Sequence, residues 1–178
     1  MINILNIILI GVSLSMDAFT LALSYGINKV SFKNVIVTAF VVGMFHFFMP
    51  LLGNIVGISL FNYTVFKPRY VLFFIFLILS IDMIIKFFEG ETKLRTLNTI
   101  GIIFFAISVS IDSFSVGLGI NYFYDNVIFA SSVFCIISAS FTIIGFKLGQ
   151  TLFKHLGKYA MLLGGAVLFL YSIRVLTK

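Results

Sequence analysis

The chain has 178 residues, of which 61% are hydrophobic and only 10% charged. A soluble domain of this length needs far more charge to cover its surface, so the composition places the chain among membrane proteins. The formal net charge of +6 comes from Lys and Arg at the ends of apolar runs, not from a continuous basic face, which argues against a nucleic-acid partner and for the lipid bilayer.

The N-terminus has no basic segment and no small-residue cleavage site, and reads as a retained first span. In order, the apolar runs cover about 3–27, 34–61, 69–88, 98–124, 127–149 and 157–176. Each reaches the ~20 residues with which a helix crosses ~30 Å of hydrocarbon. The runs are continuously apolar rather than alternating, which excludes a closed β-barrel. Six transmembrane helices in an all-α polytopic membrane protein follow, as a single transmembrane domain over 1–178.

The connections are short. The longest polar one, Lys86 to Thr96, carries Glu89, Glu91, Lys93 and Arg95 and reads as a surface loop between two halves. Lys29, Lys33, Lys86, Lys93, Arg95, Lys147, Lys154 and Lys158 fall on one side of the membrane; Lys67, Arg69, Arg174 and Lys178 fall on the other. The richer side is expected to be cytoplasmic, which puts both termini outside. The seven tyrosines lie near span ends, where interfacial anchoring accounts for them. Cys135 is the only cysteine, so no intramolecular disulfide forms.

The two halves repeat. Ser13, Ser15, Asp17, Phe19 and Leu23 recur 95 residues later as Ser108, Ser110, Asp112, Phe114 and Leu118. Val35, Ile36, Gly53 and Gly57 recur 92 residues later as Val127, Ile128, Gly145 and Gly149. Repeat one covers about 1–88, the connecting loop about 89–97 and repeat two about 98–178. Three helices per half is an odd number, so the repeats are expected to be inverted, a recurrent transporter architecture with its site near the midplane.

Asp17 and Asp112 sit near the middle of apolar spans, where a carboxyl costs at least ~2.5 kcal/mol on insertion scales. Structure alone does not require them, because a neutral Asn hydrogen-bonds at lower cost. Positions three, four and seven apart share a helix face, which adds Ser13, Thr20 and Ser24 to Asp17, and Ser108, Ser115 and Gly119 to Asp112. Carboxylate, hydroxyl, carbonyl and water oxygens suit hard divalent ions, and no thiolate cluster exists for softer ones. In the second span, Pro50 removes the N–H that would bond residue 46, so a helix break is expected there, with His46 as an accessory polar group of the pathway. Thr142 takes the place of Pro50 in the other half and can bond back to the Ser138 carbonyl. The Gly53/Gly57 and Gly145/Gly149 pairs read as close helix packing, and Asp82 with Lys86 as an i,i+4 ion pair. No phosphate-binding G-x-x-x-x-G-K-[ST] occurs.

Several of these segments resemble the MntP-type manganese exporter family over essentially the whole chain. They are Met16-Asp17-Ala18-Phe19, His46-x-x-x-Pro50-Leu51-x-Gly53, Ile111-Asp112-Ser113-Phe114-Ser115-Val116-Gly117 and Leu162-Leu163-Gly164-Gly165. The resemblance implies duplicated three-helix units and export of Mn²⁺, as substrate rather than cofactor, across the bacterial cytoplasmic membrane, with Asp17 and Asp112 as the key acidic residues. The sequence departs from the family pattern at Tyr25-Gly26, His46, Asp82 with Lys86, and Met161. The expected function is a secondary transporter exporting Mn²⁺ and not an enzyme. The alternatives are a proton-linked exporter of another cation or a small amino compound, and an intramembrane aspartyl hydrolase, which requires two carboxyls sharing a proton.

Overall fold

The computed structural model describes residues 4–26, 30–63, 68–89, 99–122, 124–151 and 155–177. The described residues are helical apart from short turns, with no strand among them. The helices are α1 (Ile4–Gly26), α2 (Phe32–Tyr63), α3 (Pro68–Glu89), α4 (Thr99–Ser108), α5 (Ile111–Leu118), α6 (Val127–Thr151) and α7 (His155–Thr177). Four stretches are long and apolar enough to cross a membrane: Ile4–Gly26, Phe32–Phe61, Thr99–Leu118 and Val127–Gln150. Most of the Lys86–Thr96 connection lies outside the described residues, as does the Lys86 side chain of the expected ion pair with Asp82.

The fourth span is not one helix. It breaks at Val109–Ser110, where the Ser110 N–H donates to Ile107 O three residues back rather than four. The matching stretch of α1 stays regular, although both of its serines also bond backbone carbonyls, Ser13 to Leu9 O and Ser15 to Gly11 O. The two copies differ in their flanks. Leu14 and Met16 in α1 are unbranched at Cβ, whereas Val109 and Ile111 are β-branched and crowd the preceding turn. The discontinuity expected at Pro50 is absent: α2 runs through it as one helix. A proline removes one intrahelical hydrogen bond, which a packed membrane helix tolerates, and Gly117 of α5 lies directly on the Pro50 backbone.

Neighbouring helices form a closed order: α1 beside α6, α6 beside α2, α2 beside α5, α5 beside α3, α3 beside α7, and α7 beside α1. Exchanging α1 with α4–α5, α2 with α6 and α3 with α7 leaves that order unchanged. Two apolar clusters fill the ends. One joins Ile7, Ile10 and Leu14 from the start of α1 to Val116 and Ile120 at the end of the fourth span. The other joins Ala18, Ala22 and Tyr25 from the end of α1 to Phe105, Ala106 and Val109. Hence α1 and α4–α5 run in opposite directions.

Two tyrosines depart from interfacial anchoring. Tyr25 and Tyr171 are buried within these clusters. The Tyr171 hydroxyl donates to Asn6 Oδ1 at 2.9 Å, and Arg174 donates to the same oxygen at 3.0 Å. The guanidinium carbon also lies 5.9 Å from the Tyr171 ring centroid, a cation–π distance. Arg174 thus ties α7 to the start of α1 rather than simply reaching for headgroups.

Four glycines set the helix spacing. Gly53 and Gly57 of α2 lie on the backbone of Phe114 and Leu118 in α5, and Gly145 and Gly149 of α6 lie on Phe19 and Leu23 in α1. A Cβ at Gly145 would come within 2.6 Å of the Phe19 carbonyl oxygen, and one at Gly26 within 3.0 Å of the Gly149 Cα. Backbone cannot rotate away as a side chain can. Gly53→Ala or Gly149→Ala is therefore expected to cost about 1–3 kcal/mol, read as a lowered melting temperature in detergent. Ile55→Ala, at a residue of α2 that is 62% exposed, should leave it unchanged.

Candidate functional site

The helices α2 and α6, which occupy equivalent places in the two halves, pack directly on one another. A Cβ on Gly43 would lie 3.2 Å from the Cys135 carbonyl oxygen and 3.2 Å from the Ala139 Cβ. Gly43 and Cys135 are themselves 92 residues apart, the offset that relates the two halves. The helices therefore cross at equivalent points.

One turn from that crossing, each helix offers a polar side chain to the first helix of a half. Ser138 meets Ser15, with the hydroxyl oxygens 2.8 Å apart. The Ser15 hydroxyl hydrogen is directed at Gly11 O, 2.6 Å away, so Ser138 is the donor in this pair. His46 meets Ser110, with Nδ1 and Oγ 3.0 Å apart. The offsets that align the motifs carry Ser15 onto Ser110 and His46 onto Ser138, so these are the same contact made twice with different chemistry. The Thr142 hydroxyl donates to Ser138 O at 2.7 Å, as its spacing suggested.

Asp17 and Asp112 follow these serines by two residues, which places each carboxylate about 160° around its helix from the serine. Both are half-buried, and the Asp17 Oδ1 is shut off from solvent. Asp112 occupies the first turn of α5, because the helix restarts at Ile111. Its Oδ1 accepts the Ser113 N–H at 2.8 Å. Free N–H groups and the dipole at a helix start favour negative charge, so the break gives Asp112 a setting that Asp17, inside a continuous helix, lacks.

The hydroxyls picked out by helical spacing mostly serve their own helices. Ser13 is buried and donates to Leu9 O, the exposed Ser108 donates to Phe105 O at 2.8 Å, and the half-buried Ser115 to Ile111 O at 3.3 Å. Thr20 and Ser24 are half-buried along the Asp17 stripe. The serine hydroxyls that reach across helices, Ser15, Ser110 and Ser138, and Ser80 of α3 on Gly165 O of α7, lie off the stripe. The signal for the first two was their recurrence in both motifs. Among the described residues no three His, Cys, Asp or Glu side chains converge, so any cation held here completes its shell with hydroxyl or carbonyl oxygens and water.

A family model described as "Putative manganese efflux pump" matches residues 29–176. A protein of Bacillus pumilus with that description and the name MntP is 33% identical over 176 residues, 98% of this chain and 95% of its own length. A like-named protein of Geobacillus thermodenitrificans is 34% identical over 169 residues, covering 94% and 92% of the two chains. The similarity extends to Methanobrevibacter smithii, at 26% identity over 178 residues. No solved structure matches the chain.

The Ser15–Ser138 contact is open to a double-mutant cycle in detergent. Ser15→Ala and Ser138→Ala should each cost about 1 kcal/mol, and the double variant less than their sum by about 0.5–1 kcal/mol. Strict additivity would mean that the two hydroxyls do not stabilise one another.

Proposed function

This chain belongs to the manganese efflux pump family, and on that footing we propose that it is a secondary transporter carrying Mn²⁺ out of the cytoplasm. Cargo passes through a site near the middle of the membrane, between two inverted three-helix repeats. One observation carries the reading: the contacts of one half recur in the other at equivalent positions, with the first helices antiparallel. Ser15–Ser138 answers to Ser110–His46, and Gly145 and Gly149 on α1 answer to Gly53 and Gly57 on α5. Each half brings one carboxylate, and two carboxylates offset the charge of one divalent ion. Thr20, Ser24 and His46 line the pathway together with Ser13, Ser108 and Ser115, and their hydroxyl oxygens suit a hard cation.

The side with more Lys and Arg, comprising the connections near residues 28–33, 86–96 and 147–158, faces the cytoplasm, and both termini face out. The membrane is the bacterial cytoplasmic membrane. Moving a charge against an inside-negative potential costs about 2.3 kcal/mol per 100 mV, and twice that for a divalent ion. The potential alone opposes export, so inward flow of protons or another cation drives it. Asp17 and Asp112, which can hold either a metal ion or protons, are the groups through which the two flows exchange.

Cells expressing Asp17→Asn or Asp112→Asn at wild-type levels should become as manganese-sensitive as cells lacking the protein. Wild-type resistance in both variants would sink the proposal. With purified protein, Mn²⁺ at a hundred times its dissociation constant should stabilise the wild type by about 2.7 kcal/mol, read as a raised melting temperature. The Asp17→Asn/Asp112→Asn double variant should show no such rise.

A further inference from the structure

His46 is wholly buried in the seam between α2 and α5. Its Nδ1 lies 3.1 Å from the Val42 carbonyl oxygen and 3.0 Å from Ser110 Oγ. A carbonyl only accepts, so in the neutral ring Nδ1 carries the hydrogen. Nε2 is then a bare lone pair, and it is buried with no hydrogen-bond partner among the described residues. A hydroxyl can turn toward another acceptor, but a ring nitrogen fixed by its opposite edge cannot. Metal-binding histidines are arranged in this way, with one ring N–H on a backbone carbonyl setting the tautomer and aiming the other nitrogen.

A second buried atom lies on the same seam. Ser110, the cap residue before α5, lies above the face of α5 that carries Ser113 and Gly117; Ser110 meets His46 and Gly117 meets Pro50. Ser113 falls on the stretch between them, and its Oγ is buried with no hydrogen-bond partner among the described residues. The other seam has no counterpart to this pair. There the equivalent of His46 is Ser138, bonded to Ser15, and the equivalent of Ser113 is Ala18.

From this geometry we propose that His46 Nε2 is a ligand of the transported cation. On this proposal, which rests on the manganese reading above, the imidazole separates Mn²⁺ from Mg²⁺ and Ca²⁺. Mg²⁺ and Ca²⁺ take oxygen ligands, whereas Mn²⁺, hard but at the start of the first-row transition series, gains more than they do from an imidazole nitrogen. Ser113 Oγ and water fill neighbouring positions. The two carboxylates meet the ion at another point of its path, because Asp112 stands about 160° around its helix from Ser110, which meets His46.

The test is pulsed electron paramagnetic resonance of Mn²⁺ bound to the purified full chain. The wild type should show nitrogen modulation from a coordinated imidazole. His155→Gln, which removes the only other histidine, should keep that modulation, and His46→Gln should lose it. In proteoliposomes, the Mg²⁺ needed to halve Mn²⁺ transport should fall at least about tenfold in His46→Gln. Bound Mn²⁺ without nitrogen modulation in the wild type overturns the proposal even if the variant does not fold, and leaves the seam a water pocket. Modulation or selectivity that survives His46→Gln overturns it too. A wild type that binds no Mn²⁺ at all defeats the manganese reading itself, and this proposal with it.

Discussion

Lipid tails are as apolar as leucine, so membrane helices gain nothing by hiding from them and must associate through shape. Here the shape is supplied by glycine. Gly53 and Gly57 let α2 sink onto the α5 backbone, and Gly145 and Gly149 do the same for α6 on α1. Those two contacts fix the height at which each aspartate-bearing helix stands against its partner. The Ser15–Ser138 and His46–Ser110 contacts beside the α2–α6 crossing depend on that register. Shifting either seam by one residue would separate Ser15 from Ser138 or Ser110 from His46, and leave buried polar groups without partners at a cost of about 1–3 kcal/mol each.

Much of this was legible in the sequence because repetition and hydropathy are properties of the chain itself. The helix boundaries fall within a few residues of the apolar runs, and the matched glycines pack as their spacing suggests. The break at Val109–Ser110 was less visible. From Ser13 to Asp17 and from Ser108 to Asp112 the motif copies look alike in polarity, and they differ only in β-branching beside serines whose bonding to nearby carbonyls competes with the helix ladder. Pro50 drew attention for the opposite reason: a strong local signal was absorbed by tertiary packing. Ser15, Ser110 and Ser138 escaped the helical stripe because their partners lie on other helices, and periodicity does not encode lateral neighbours. Tyr25 and Tyr171 were hidden likewise. A ring near a span end can turn inward when a buried group such as Asn6 accepts its hydroxyl.

The two halves have kept their architecture and diverged in chemistry. In the α1–α6 seam the equivalent positions carry Ser15, Ala18, Ser138 and Thr142, and the three hydroxyls are hydrogen-bonded. In the α2–α5 seam they carry Ser110, Ser113, His46 and Pro50, with a buried imidazole nitrogen and a buried hydroxyl left over. Small residues and hydroxyls make one seam a closed joint. A ring, a proline and a broken helix start make the other a joint with spare valence.

The interrupted fourth span bears on thermodynamic bias. In a carrier built from inverted repeats, the inward-open and outward-open forms arise when the halves trade conformations, and two identical halves would make those forms equal in energy. One continuous helix and one helix broken beside its aspartate cannot trade on equal terms. Under the proposed transport mechanism the resting equilibrium tilts toward the form in which the broken helix is the relaxed one, and cargo binding or release has to supply the difference. On that mechanism the pair Val109–Ser110 helps to decide which side of the membrane the empty carrier faces.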